Sequence, residues 1–175
     1  MKTQLTSTSD IRIYVACLAS YNNGILHGAW INANQSEDEI WEGIKDVLAS
    51  SPIPDAEEHA IHDYEGFYRV RIEEYSDIKT VAALASFIDE HGELGAELIS
   101  HYGDLEGAEK ALSECYVGSY DSLKDFAQSI TEETTEIPAS LEYYIDYDAI
   151  ARDLEINDVI AIELGYDDVH VFWNR

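Results

Sequence analysis

Positive charge is what this sequence has least of. Among 175 residues there are 10 Lys and Arg against 36 Asp and Glu, a net charge of −26. Phosphate repels such a chain, so it is not expected to bind nucleic acid directly in the usual basic manner, and anionic membrane surfaces repel it for the same reason. No run of 18 apolar residues occurs, so no segment is expected to span a bilayer. The opening MKTQLTSTSD has no apolar core, which leads to the expectation of no secretion signal and a cytoplasmic location. Cysteine is scarce as well. Cys17 and Cys115 lie far apart and are expected to be reduced thiols rather than a disulfide framework.

Several chemical sites also fail on their residues. His59 and His62 have helical metal spacing, but His59-Ala60-Ile61-His62-Asp63 reads as a strand that would aim the two to opposite faces, and no Cys pair or second His cluster completes a ligand set. Asp146-Tyr147-Asp148 fails as a calcium loop, because Ile150 and Ala151 stand where an oxygen ligand and a turn glycine are needed. Cys115 has no flanking base to form a thiolate, so it reads as a packed small side chain. Phosphate-cradling glycine motifs and a nucleophile elbow are missing. Among so many acids, some carboxylate pair always meets a hydrolase separation, so that signal has no specificity. The chain is therefore not expected to be an enzyme, nor to carry a cofactor or metal.

What remains is a chain rich enough in apolar residues to fold, at 46% hydrophobic with 12 Tyr, 4 Phe and 3 Trp. Its acids are interleaved with apolar positions along almost the whole length. Residues 1–79 hold 14 acids and 6 bases, while residues 80–175 hold 22 and 4, so the later part carries more than twice the net charge. Like charges one helical turn apart cost about 0.2–0.5 kcal/mol per pair, against a typical stability of about 5–15 kcal/mol. A requirement other than folding is expected to maintain the charge.

The expected fold class is α+β, in three small domains of α+β, helical and α+β character. Residues 1–10 read as a disordered leader. Within 11–75, IRIYVACLA (11–19) and GAWINA (28–33) read as strands on either side of a turn at Asn23-Gly24. Ser36-Glu37-Asp38-Glu39 is a capping box opening a helix with a stripe of Ile40, Trp41, Ile44, Val47 and Leu48. HAIHDYE and FYRVRIE follow as strand segments. From Ser76 to residue 112 the period becomes helical, with Ile78, Val81, Ala85 and Ile88 inward and Gly92 placed to cap. Within 113–175, CYVGSY reads as a strand. Ser122 caps a helix burying Leu123, Phe126, Ala127 and Ile130; Pro138 starts a helical stretch, ASLEYYIDYDAIARDLE; and DVIAIELGYDDVHVFW forms a hairpin about Gly165-Tyr166-Asp167-Asp168.

Duplex DNA carries one charge per roughly 1.7 Å of axis, so −26 matches about 13 base pairs and a homodimer about 26. Acids at i and i+4 on a helix lie about 5–6 Å apart at Cβ, comparable to neighbouring phosphates. A rigid array of this kind can occupy the cleft of a DNA-binding protein and loses little entropy on docking. The alternative from composition is a solvated acidic surface on a halophile-type cytoplasmic protein or adaptor of unrelated function.

The stretch PASLEYYIDYDAIARDLE (138–155) resembles the antirestriction motif of the ArdA family, most specifically at Leu141, Tyr144, Asp146-Tyr147 and Ala151-Arg152-Asp153-Leu154. IYVACLASYNNGILHGAWI and AIHDYEG are also similar to that family, and the resemblance covers roughly residues 11–175. It implies a DNA mimic carried on mobile genetic elements, which binds the methyltransferase core of type I restriction-modification enzymes, blocks restriction and can inhibit modification too. It also implies an elongated three-domain chain forming a curved homodimer, with the motif near the dimer interface. The candidate phosphate surrogates are Asp121, Asp125, Glu132, Glu133, Glu142, Asp146, Asp153 and Glu155. Leu141, Tyr144, Ile145, Tyr147 and Leu154 are candidates for motif packing or dimer contacts, with ordinary core positions the alternative. Arg152 is expected to pair with Asp148, at i,i+4 spacing.

Overall fold

The structure, a computed structural model, describes residues 10–175; the leader expected over 1–10 lies outside the described residues except for Asp10. It is mixed α+β with two small antiparallel sheets. The chain divides into two compact units, one up to Ala96 and one from Glu97 to Arg175.

The first unit is built on the strands β1 (Arg12–Cys17), β2 (Gly28–Asn32) and β3 (His59–Glu65), in the order β2-β1-β3. Alternation along β1 sends Ile13, Val15 and Cys17 inward, each fully buried. The helix α2 (Glu37–Ala49) packs on β1 and β2. Its capping box forms as the sequence predicts: Glu39 N–H donates to Ser36 Oγ at 3.3 Å, and Ser36 N–H donates to Glu39 Oε2 at 3.0 Å. Ile40, Ile44 and Val47 are the buried stripe, while Trp41 and Leu48 are half-buried.

Two expectations here are corrected. The strand read over 11–19 stops at Cys17, and Leu18–Asn22 forms a short helix, α1. The Asn23 side-chain amide donates to the Ala19 carbonyl at 2.8 Å, a local bond that favours a helical turn over further extension. FYRVRIE is not a strand. Tyr68 is left-handed at φ 52°, Val70 N–H closes a turn on the Phe67 carbonyl at 3.0 Å, and the buried positions are 67, 70 and 72 rather than alternate residues.

The helix α3 (Ile78–Tyr102) buries Ile78, Val81, Ala85 and Ile88 in its early part. It is interrupted at Gly92, whose φ of 59° and ψ of −145° suit glycine almost alone.

The second unit continues with α4 (Leu105–Lys110), a π turn (Ala111–Cys115), β4 (Tyr116–Tyr120), α5 (Leu123–Thr134), a 3-10 turn (Glu142–Tyr144), α6 (Tyr147–Asn157), β5 (Val159–Gly165) and β6 (Asp168–Trp173). Its sheet has the order β4-β6-β5. The predicted β5–β6 hairpin forms, with Asp167 at φ 57° in its turn. Phe126, Val159, Val169 and Val171 form the core, with Leu123, Ile130, Leu154 and Trp173 packed around them. Full burial of a side chain such as Phe126 contributes roughly 1.5–3 kcal/mol.

The helix expected to run from Pro138 is also corrected. Leu141 N–H bonds the Pro138 carbonyl and Tyr144 N–H the Leu141 carbonyl, each at 2.9 Å, so the segment makes tight turns. The helix begins only after Asp146, whose carboxylate accepts from Ala149 N–H at 3.0 Å. An acid that caps a helix in this way interrupts any helix leading into it.

Candidate functional site: the acidic face of α5 and α6

Apolar spacing decides which carboxylates on α5 and α6 face outward. On α5, Phe126 and Ala127 are buried and Leu123 and Ile130 pack on the core, which leaves Asp125, Glu132 and Glu133 in solvent. On α6, Ala151 is buried and Leu154 packs inward, so Asp148, Asp153 and Glu155 are exposed. Asp121 precedes the α5 cap, Glu142 lies on the 3-10 turn and Asp146 caps α6; all three are exposed too. The eight predicted phosphate surrogates are thus all at the surface.

The two helices pack together, and charges gather along their contact. Lys124 Nζ meets Asp148 Oδ2 at 2.8 Å. That hydrogen bond and the charge of Asp148, with additions from Asp146 and Asp125, hold the Lys124 ammonium above its ordinary range. On the same turn of α6, partial desolvation raises the Tyr147 phenol, and the carboxylates of Glu132 and Glu142 raise it further. The structure therefore brings Asp125, Asp146 and Asp148 around one lysine, and Glu132 and Glu142 around one tyrosine. Asp121, Glu133, Asp153 and Glu155 belong to neither group. The ion pair expected between Arg152 and Asp148 is corrected: Asp148 pairs with Lys124, 24 residues away in sequence, a contact that no helical spacing could indicate.

Several of these acids also serve local structure. Asp125 accepts from the Ser122 hydroxyl at 2.6 Å, Glu132 from the Gln128 amide at 2.8 Å and Glu133 from the Ser129 hydroxyl at 3.3 Å. Each keeps lone pairs directed to solvent, because a carboxylate offers about four acceptor positions.

The motif's apolar residues divide. Leu154 packs on the core, Ile145 and Tyr147 are half-buried, and Leu141 and Tyr144 are exposed at 53% and 83%. Tyr143 at 91% and Ile156 at 75% are exposed as well and were not among the expected residues. In a segment read as continuous helix, one of two adjacent tyrosines would be expected to face inward; the 3-10 turn leaves both outside.

Among the described residues, no group of His, Cys, Asp and Glu could hold a metal ion, and no helix is long and apolar enough to cross a membrane. His59 and His62 engage aromatic neighbours instead, His59 edge-on to Trp41 at 5.3 Å and His62 edge-on to Tyr21 at 4.7 Å.

The fold and this face describe a class, an acidic α+β protein that presents carboxylates on a packed helix pair. The model of the antirestriction protein (ArdA) family matches residues 13–168. The chain belongs to that family, whose members act in antirestriction as inhibitors rather than as enzymes. No curated protein matches the chain.

Proposed function

We propose that this protein is a DNA mimic that occupies the DNA-binding methyltransferase core of type I restriction-modification enzymes. Restriction of unmodified DNA is thereby blocked, and modification at the same core is open to inhibition. The protein acts by binding alone, in the cytoplasm, as a homodimer of chains with three domains, 11–75, 76–112 and 113–175. The supporting observation is the solvent-facing set Asp121, Asp125, Glu132, Glu133, Glu142, Asp146, Asp153 and Glu155, in the part of the chain where acids outnumber bases 22 to 4, together with membership of an antirestriction family. Leu141 and Tyr144, apolar and exposed, are the motif residues available for the contact between copies.

Carboxylates on helices reproduce the electrostatic attraction that the enzyme offers to phosphates, and docking releases the same counterions. Competition between this protein and duplex DNA for a purified type I methyltransferase tests the proposal. Competition is expected at low salt and should weaken steeply as salt rises. Its absence at low salt would overturn the mimic reading, and a protein that folds only at high salt would favour plain salt adaptation.

A further inference from the structure

β2 is an edge strand that the fold leaves open. In the order β2-β1-β3 it pairs with β1 alone, and among the described residues no strand lies along its other side. Antiparallel pairing alternates between bonded and non-bonded positions. Cys17 N–H donates to the His27 carbonyl and Ala33 N–H to the Ile11 carbonyl, each at 2.9 Å, so residues 27, 29, 31 and 33 bond the β1 side. The backbone N–H and C=O groups of Gly28, Trp30 and Asn32 therefore point outward. Proteins blunt such an edge with Lys, Pro or an inward-pointing charge, and the sequence of β2, GAWIN, contains none of these.

The open edge borders a groove. About 290 Å³ of space lies between residues 27–31 and the side of α2 that carries Gly43, Asp46, Val47 and Ser50. These four fall at i, i+3, i+4 and i+7, one stripe of the helix. Residues 27–31 line the groove consecutively and not alternately, so it follows the backbone edge of the strand and not one face of the sheet. His27 Nε2 donates to the Val47 carbonyl at 2.8 Å, which ties the start of β2 to α2 and fixes the groove at that end.

α2 gives the groove its sign. The helix carries five acids, Glu37, Asp38, Glu39, Glu42 and Asp46, against Lys45. Asp46 lines the groove and Glu42 stands one turn before it, both exposed. A second copy of this chain does not suit that position: with −26 on each chain, edge-to-edge pairing would bring two acidic helices together. A basic chain has the complementary charge.

We infer that β2 is a docking edge for an extended segment of the inhibited enzyme that bears Lys or Arg. The segment adds to the three-stranded sheet beside β2 and turns alternate basic side chains toward Asp46 and Glu42. The identity of the partner rests on the mimic reading, whereas the open edge and the groove do not. Backbone hydrogen bonds give this contact a register, which a field of carboxylates alone does not impose.

Amide hydrogen exchange tests the docking edge. In the free protein the amides of Gly28, Trp30 and Asn32 should exchange quickly and those of Ala29 and Ile31 slowly. Binding to a purified type I methyltransferase should slow the outward amides. A short peptide of alternating Lys and Val should slow them too, and its counterpart of alternating Glu and Val should not. Asn32→Pro and Asn32→Ala both lose the side-chain bond from Asn34 N–H, but only proline also removes the outward N–H, at a position where an edge strand tolerates it. Asn32→Pro should bind the methyltransferase about two- to tenfold more weakly than Asn32→Ala, with Ala29 and Ile31 still protected in both. Asp46→Lys leaves the β1–β2 ladder untouched and should weaken binding of the Lys and Val peptide, a second readout that does not depend on proline. Outward amides that keep their rate in the methyltransferase complex overturn the docking edge, and so does equal binding by the two Asn32 variants with the ladder intact. Outward amides that are slow in the free protein and quicken on dilution would assign the edge to a second copy and overturn it as well. Failure of the mimic reading is distinct: the native protein then binds no methyltransferase, and the Lys and Val peptide still decides the edge, by slowing the outward amides or leaving them unchanged.

Discussion

His59 shows how one half-buried ring contributes a pH-dependent stability. It lies on β3, opposite Cys17, with its ring edge-on to Trp41. Burial disfavours the imidazolium and pushes its pKa below the ordinary 6.5. With a folded pKa below the unfolded one, its contribution is fully present above about pH 6.5 and is lost as pH falls toward the folded value. Melting temperature should therefore decline as pH is lowered from about 6.5 to 5.5, and His59→Gln should flatten that decline. A slope that the substitution leaves unchanged would remove His59 as its cause. The strand assignment of His59 was legible from the sequence; its pairing with Trp41 was not, because the two come from different elements.

At the scale of elements, α6 carries the sharpest distinction between charge and structure. Asp146 is a candidate phosphate surrogate and also the helix N-cap. Replacing an N-cap Asp by Ala costs about 1 kcal/mol, whereas Asn caps nearly as well. Asp146→Asn should thus leave the melting temperature close to native and Asp146→Ala should lower it, although both remove the same charge. Thermal melts of the two variants check this; equal loss in both would mean that the charge and not the cap holds the turn. The start of α6 was misread because apolar residues continue at helical spacing through Leu141, Tyr144 and Ile145. Periodicity reports which residues could share a face, but a capping carboxylate inside the run decides where the helix begins. The capping box at Ser36 and the cap at Ser122 were legible because their partners lie three residues away.

For the whole molecule, the charge acts as a distributed field. The eight candidate acids are all exposed, and at physiological ionic strength, where the Debye length is about 8 Å, each is screened beyond its near neighbours. Neutralising Asp121, Glu133, Asp153 or Glu155 singly should change inhibition little, since none belongs to the groups around Lys124 and Tyr147. Neutralising all four together should weaken inhibition markedly and make its salt dependence shallower. A restriction-protection assay with unmodified DNA reads both effects. Complete loss from any one of the four, with folding intact, would indicate a local contact in place of a field.

Composition and short-range pattern by themselves determined the charge, the α+β class, the two hairpin strands at the end of the chain and the helix caps at Ser36 and Ser122, because each depends on residues within a few positions of one another. The resemblance in residues 138–155 led to the family. Tertiary structure alone decided that FYRVRIE turns instead of extending, that Leu141 and Tyr144 stay outside the core, and that Asp148 pairs with Lys124 and not Arg152. Those outcomes depend on which elements meet, and a period of 3.6 or 2 carries no information about a neighbour 24 residues away.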